Sequence, residues 1–274
     1  AQAPVLPSYG DITLPSPSSR TIDYWQQQQA NSVDLYHRTA PQVSARTRRV
    51  FCELGLGKTA ALKQLAITSP AQALTPQLSL FNLVAGILLA YLHRVSGSER
   101  VAFATPTHGR PTAALKETIG IFVELFPLQA EIDPGETFAS LLRKVSDASG
   151  GLLRYAQPGA SQSAPSRHVN VVLNFIHTQL PEFDGRPVHS EWIHPGAGDP
   201  RHHLRLQVHD FDARGSLQLH FDFNCDLFEP ELQERAAGHF LALVDAVLAD
   251  PNQPIAGVEM VKGSERSHLI ELSR

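Results

Sequence analysis

Apolar residues recur along this chain at two periods, and the period assigns most of its elements. Leu80, Leu83, Val84, Ile87, Leu88, Tyr91 and Leu92 follow helical spacing. They predict a core helix over Ser79–Val95, with Ser79 as its N-cap and Gly97 as its stop. Leu232, Ala236, Phe240, Leu243, Val244 and Val247 form a second stripe over Pro230–Leu248, where Pro230 suits the first helical position. Phe138, Leu141, Leu142 and Val145 mark a third helix over Thr137–Arg154, weakened in its second half by Gly150 and Gly151. Shorter helices are expected at Ile22–Gln29, anchored by Tyr24 and Trp25, and at Lys58–Ala66. Thr47–Leu54, Val101–Thr105, a run ending at Gln129, and Val169–Ile176 read as strands. Leu204–Asp212 and Ser216–Asn224 alternate apolar and polar positions around Ala213-Arg214-Gly215, a hairpin signal. Residues 1–20 are rich in Pro and Ser and read as an extended connector. Gln157–Arg167 is small and polar and is the segment expected to be disordered. Residues 178–200 carry Pro, Gly and His without a clear element, and a loop of that length usually serves function or docking. Helices and strands are intermixed, which favours one α/β lobe with helices packed on a mixed β-sheet.

Composition narrows the class. At 274 residues, with 42% hydrophobic and 18% charged positions, the chain has material for a real core in one large domain or two small ones. A net charge of −4 and the lack of a Lys/Arg cluster give no reason to expect nucleic acid as a partner. Cys52 and Cys225 lack metal-type spacing and read as two reduced core thiols. The start AQAPVLPSYGD lacks the basic and apolar stretches of a signal peptide. Leu83–Leu92 is shorter than the ~20 residues that span a bilayer and reads as a buried helix. No membrane partner is expected, and a cytoplasmic location follows by default.

Four motifs invite a chemical reading. Gly55-Leu56-Gly57-Lys58-Thr59 follows a strand and precedes a helix, but a phosphate-binding loop also needs a Gly where Cys52 stands. A strand-to-helix turn with a solvated lysine explains it. His209-Asp210-Phe211-Asp212 places its adjacent His and Asp on opposite faces of a strand, so they cannot readily share an ion. His168, His177, His189 and His194 cluster near the long loop without a zinc-type spacing, so no metal is expected. His202-His203 is the one histidine pair and sits at the entry to a strand. No Gly-x-Ser-x-Gly elbow occurs, and nothing in the chain forms a catalytic set.

The stretch Thr105–Gln129, TPTHGRPTAALKETIGIFVELFPLQ, is the most informative. It resembles the C-terminal half of nonribosomal peptide synthetase condensation domains, where a G-T-P-x-x-x-R loop precedes I/V-G-x-F-V-N-T-x-x-x-R. Tyr9-Gly10-Asp11 resembles the family's Y-x-D element, and Asp23-Tyr24-Trp25 its Y-W helix. Leu78–Arg100 is similar to the helix before the G-T-P loop. Val171–Phe175 resembles F-x-V-x-F-N, and Phe221–Phe228 resembles Y-N-x-x-L-F. The matches fall in order over roughly residues 5–262. The family's HHxxxDG motif is missing: after His202-His203, Gln207 and Val208 stand where Asp and Gly belong. Glu124-Leu125 replaces Asn-Thr, Gln129 replaces the terminal Arg, and only Tyr155-Ala156-Gln157-Pro158 stands at the H-Q-D-x-P-F-E element.

The resemblance implies one lobe of a two-lobed fold similar to chloramphenicol acetyltransferase, with a tunnel between the lobes. Residues 1–20 would connect from a missing N-terminal lobe, 21–262 would be the C-terminal lobe, and 263–274 would lead toward a following adenylation domain. The implied activity is acyl transfer in secondary metabolite biosynthesis: a carrier-bound acyl or peptidyl thioester joined to an acceptor amine. The histidine would come from the other lobe, so this chain supplies no catalytic residue and is expected to be inactive alone. No cofactor is bound directly; phosphopantetheine arrives on partner carrier proteins. Thr105, Pro106, His108, Arg110, Phe122, Glu124 and Asn174 become tunnel-lining or inter-lobe candidates. Pro181, Phe183, Asp184 and Trp192 fall in a latch-like crossing near Thr178–Trp192. Asn174 is either a polar group near the tunnel or a strand residue capping a sheet edge. Arg110 is expected to tie its loop through several donors rather than to act. The departures keep a second reading open, a non-catalytic docking module for carrier or adenylation domains. A third, an independent hydrolase or nucleotide-binding protein, rests on Gly55–Thr59 alone.

Overall fold

The computed structural model describes residues 7–178, 182–186, 188, 190, 192–211, 215–261, 263 and 265–267. Six strands form one mixed sheet in the order β1-β6-β5-β4-β2-β3. They are β1 (Thr47–Glu53), β2 (Arg100–Thr107), β3 (Glu124–Glu131), β4 (Val171–Thr178), β5 (Leu204–Phe211) and β6 (Gln218–Asn224). β4 runs parallel to β2 and to β5; the remaining pairs are antiparallel. The helices are α1 (Ser19–Gln26), α2 (Gly55–Thr68), α3 (Pro76–Ser96), α4 (Ala113–Glu117), α5 (Phe138–Tyr155) and α6 (Pro230–Ala249).

Alternation along the strands divides the sheet into two unlike faces. Leu173, Leu204, Leu206, Val208, Leu219, Phe221 and Phe223 point into the main core, where α2, α3, α5 and α6 pack. α3 lies at the centre of that layer. It is the one described helix long and apolar enough to cross a membrane, and 83% of its most apolar window is buried inside the protein. That is how the central helix of a helix-on-sheet core looks. The expected helix is therefore present, but longer than its most apolar stretch.

Several local expectations are corrected. The N-cap of α3 is Thr75, whose hydroxyl accepts from Leu78 N–H at 3.1 Å, with Pro76 at the first turn. Ser79 lies inside the helix, where its hydroxyl accepts from Ala73 N–H at 2.8 Å. Gly97 does stop α3, in the left-handed conformation at φ 71°. Gly55–Thr59 forms the first turns of α2 rather than a loop before it. Thr59 is buried and accepts from Leu217 N–H at 2.9 Å, and Lys58 pairs with Asp245 at 2.6 Å instead of being merely solvated. Both groups that a phosphate would engage are committed to the fold. α5 runs unbroken through Gly150 and Gly151; a Cβ on Gly151 would meet the Tyr24 hydroxyl at 2.1 Å, so glycine there admits α1.

The segment expected to be disordered is ordered. Residues 157–168 form two short 3-10 turns, Ala160–Gln162 and Pro165–His168, after α5. Ala160 and Ala164 join Trp25, Phe126 and Leu152 in a second core cluster. The hairpin of β5 and β6 forms as expected, while its tip at 212–214 lies outside the described residues. α4 falls within the Thr105–Gln129 stretch, in the connection between β2 and β3.

Candidate functional site

The sequence-predicted residues gather in two loops and on the second face of the sheet. The first loop leaves β2 at Thr107 and returns to β3 at Glu124. Arg110 organises it. Its guanidinium donates to the carbonyl of Leu115, to Thr118 O at 2.6 Å and to Gly120 O at 2.8 Å, and lies 4.4 Å over the Phe122 ring. A planar fork with several donors suits that task, and the cation adds attraction to the ring face. The expectation that Arg110 ties its loop matches these bonds. Gly109 sits at φ 62°, and a Cβ there would meet Phe122 O at 2.1 Å, so only glycine fits. Tyr9 closes the other side: its ring lies 5.1 Å from Phe122 and against Gly120.

This arrangement buries Phe122 and turns its neighbours outward: Ile119, Ile121 and Val123 are 77%, 85% and 58% exposed. Thr105 is buried on the helix side of β2, Pro106 faces the other side opposite Leu125, and His108 is exposed. Glu124 accepts from Gly159 N–H at 2.6 Å and Ser161 N–H at 3.1 Å, which pins the 157–168 segment. It also lines a cleft of about 240 Å³ shared with Leu125, Arg167, Arg201 and His202. Burial lowers the pKa of His202, and Asp199 opposes that shift.

The second face of the sheet is polar. Asn174 on β4 lies beside Gln207 on β5, which faces His220 on β6, which faces Phe51 on β1. The adjoining row is Val172, Arg205, Asp222 and Arg49. Asp222 is buried. It accepts from Arg49 Nε at 2.6 Å, Arg205 Nη2 at 2.8 Å and Gln207 Nε2 at 2.8 Å, with His194 Nδ1 at 3.5 Å. Burial pushes the Asp222 carboxyl up, but the two guanidiniums outweigh it and leave the pKa below the usual carboxylate value. Asn174 makes no side-chain hydrogen bond among the described residues. Its register places it on β4 between β2 and β5, away from the sheet's edges.

A second loop lies across this polar face. Gly198 N–H donates to Ala45 O at 2.8 Å, Thr47 N–H donates to Gly196 O at 2.9 Å, and His194 Nε2 lies 3.2 Å from the Thr47 hydroxyl. Trp192 sets its ring 4.8 Å from His209, which lies 4.4 Å from His220. Ile193 beside it is 87% exposed. Phe183, 79% exposed, and Asp184, at φ 51°, form a small turn closed by hydrogen bonds to Arg186. Pro181 lies outside the described residues.

The predicted residues thus do not converge on one point. Sequence reading missed the Arg49–Asp222–Arg205 cluster and its cover, because it joins three strands that no linear motif connects. The available signal was the alternation in LRLQVH of β5 and QLHFDFN of β6, which puts one polar side chain on every second position. Among the described residues, no three of His, Cys, Asp and Glu are grouped to hold a metal ion.

The family model for the condensation domain matches residues 18–270. The surfactin synthase subunit 1 of Bacillus subtilis (strain 168) is 25% identical over 252 residues, covering 86% of this chain and 7% of that protein. Phosphinothricin tripeptide synthetase PhsC of Streptomyces viridochromogenes is 26% identical over 273 residues, covering 92% of this chain and 24% of that protein. In structure, the first condensation domain of the calcium-dependent antibiotic synthetase superposes with a TM-score of 0.67 at 20% identity, over 89% of this chain and 54% of that one. A four-domain nonribosomal peptide synthetase, holo-AB3403, gives 0.73 at 16% identity, over 90% of this chain and 20% of that one. These likenesses bear out the mixed α/β fold. The chain spans a small part of the synthetases it matches and about half of the compared condensation domain.

Proposed function

Because this chain belongs to the condensation-domain family, we propose that it is the C-terminal lobe of such a domain and serves amide bond formation between a carrier-bound acyl or peptidyl thioester and an acceptor amine. One observation carries the reading: nearly all of this chain aligns with about half of a condensation domain. The general base would stand on the partner lobe, since HHxxxDG does not occur in this sequence. The chain's own part would be to form one wall of the site and to hold the partner.

The exposed apolar residues support this division. Ile119, Ile121 and Val123 project from the Arg110-tied loop, and Phe183, Trp192 and Ile193 from the second. Large apolar side chains grouped on loops mark an interaction surface. The resemblance puts a latch-like crossing near Thr178–Trp192 and inter-lobe candidates, Pro106, His108 and Arg110 among them, on or beside the first loop. The domain limits proposed from sequence, 21–262 for the lobe with a connector before it and a linker after it, follow from the same reading. So do the expected partners: the N-terminal lobe, carrier proteins presenting phosphopantetheine, and an adenylation domain.

The test supplies the missing half. This chain is mixed with an N-terminal lobe bearing HHxxxDG and with two loaded carrier proteins, and the amide is read by mass spectrometry. The chain alone should give no product, and the pair should give it. Ile121→Glu should weaken association by about tenfold or more without changing the chain's stability. A complex that forms without product, beside an intact domain that does turn over, would leave the docking-module reading. Failure to associate would sink the lobe reading itself.

A further inference from the structure

A second buried polar network lies on the helix side, remote from the loops above. It begins at a strained turn. Tyr36 and His37 are consecutive non-glycine residues in the left-handed region, at φ 55° and 54°. Such backbone persists only where its surroundings over-determine it. The Tyr36 hydroxyl lies 3.2 Å from that of Tyr91 on α3 and 2.9 Å from His239 Nδ1 on α6. On its other side, His239 Nε2 is 3.0 Å from Glu265 Oε2, and Arg235 Nε holds Glu265 Oε1 at 3.1 Å. Tyr91 and His239 are buried. The Tyr36 ring also packs against Phe228 and tilts over His239.

The partners fix the direction of every bond for a neutral imidazole. A carboxylate only accepts, so Nε2–H donates to Glu265. Nδ1 is then the acceptor, and Tyr36 O–H donates to it. The Tyr36 oxygen in turn accepts from Tyr91 O–H. Each donor is used once, and the sense of the relay is set at Glu265.

We propose that this relay couples the docking of Glu265 on α6 to the strained turn at Asp34–His37. With Glu265 seated, His239 is held in the tautomer that accepts from Tyr36, and the turn keeps its left-handed backbone. With Glu265 gone, Nε2–H loses its partner, the other tautomer becomes available, and Tyr36 loses its acceptor. By linkage the effect is reciprocal: loosening Tyr36 loosens Glu265. The coupling stands apart from any catalytic role and depends only on this chain.

Hydrogen exchange with mass spectrometry on the full chain tests it. Glu265→Ala should speed exchange about tenfold or more both around residue 265 and in residues 31–38, as loss of a charged hydrogen bond implies. Tyr36→Phe should speed it in the same two places. Arg266→Ala, which removes an exposed pair with Glu259, should leave residues 31–38 unchanged. Glu265→Gln keeps an acceptor for Nε2–H and should leave residues 31–38 largely protected. An effect of Glu265→Ala confined to its own segment would overturn the coupling. So would equal loosening of residues 31–38 by Arg266→Ala, or by Glu265→Gln and Glu265→Ala alike.

Discussion

Arg110 and Asp222 show how single side chains fix regions that no element defines. Arg110 carries a loop with one short helix and no strand, by satisfying three carbonyls at once. Arg110→Lys keeps the charge but cannot fork, and is expected to cost about 2–3 kcal/mol in urea unfolding through the unpaired carbonyls and the lost ring contact. Gly109→Ala should be at least as damaging as its left-handed strain alone, about 1–2 kcal/mol, because the new Cβ would meet a backbone carbonyl. Asp222 lies between two guanidiniums and is buried. Removing its charge strands both cations, and Asp222→Asn is expected to cost about 3–5 kcal/mol. Its folded pKa is depressed, so the stability it contributes is fully present above the unfolded carboxyl value of about 3.9 and is lost as pH falls through the lower folded value. Denaturant titrations between neutral and acidic pH should therefore converge for the wild type and Asp222→Asn in strong acid.

Among the elements, periodicity decided what could be read in advance. α3, α5 and α6 were legible because apolar residues repeat at helical spacing, and β5 and β6 because apolar and polar residues alternate along them. The 157–168 segment was illegible for a physical reason. Its own residues are small and polar, and what orders them is Glu124, a residue 35 positions away from Gly159 in sequence, accepting two of its amides. Glu124→Ala should expose those amides, raise hydrogen exchange in residues 158–168, and lower stability by about 1–3 kcal/mol. No change in exchange there would show that Ala160 and Ala164 suffice through packing. The Gly55–Thr59 run was legible as a decoy from the missing glycine at Cys52, and the contacts of Thr59 with Leu217 and of Lys58 with Asp245 agree with that. The candidate residues were legible only as loops. Their partners, such as Tyr9 on Phe122 and Trp192 on His209, are contacts across the fold that spacing cannot reveal.

Across the whole molecule, the sheet is assembled from distant parts of the chain. β1, the first strand in sequence, pairs with β6, the last, from Thr47 opposite Asn224 to Glu53 opposite Gln218. In the sheet, β1 has no other strand neighbour. During synthesis at 5–20 residues per second, β1 would therefore wait roughly 10–30 s for its partner to leave the ribosome. Its arginines, Arg48 and Arg49, keep that waiting edge charged, which discourages pairing with another nascent chain. Translation speed thus enters the yield of this fold: a pause before β6 prolongs the interval in which the sheet's first-made edge is open.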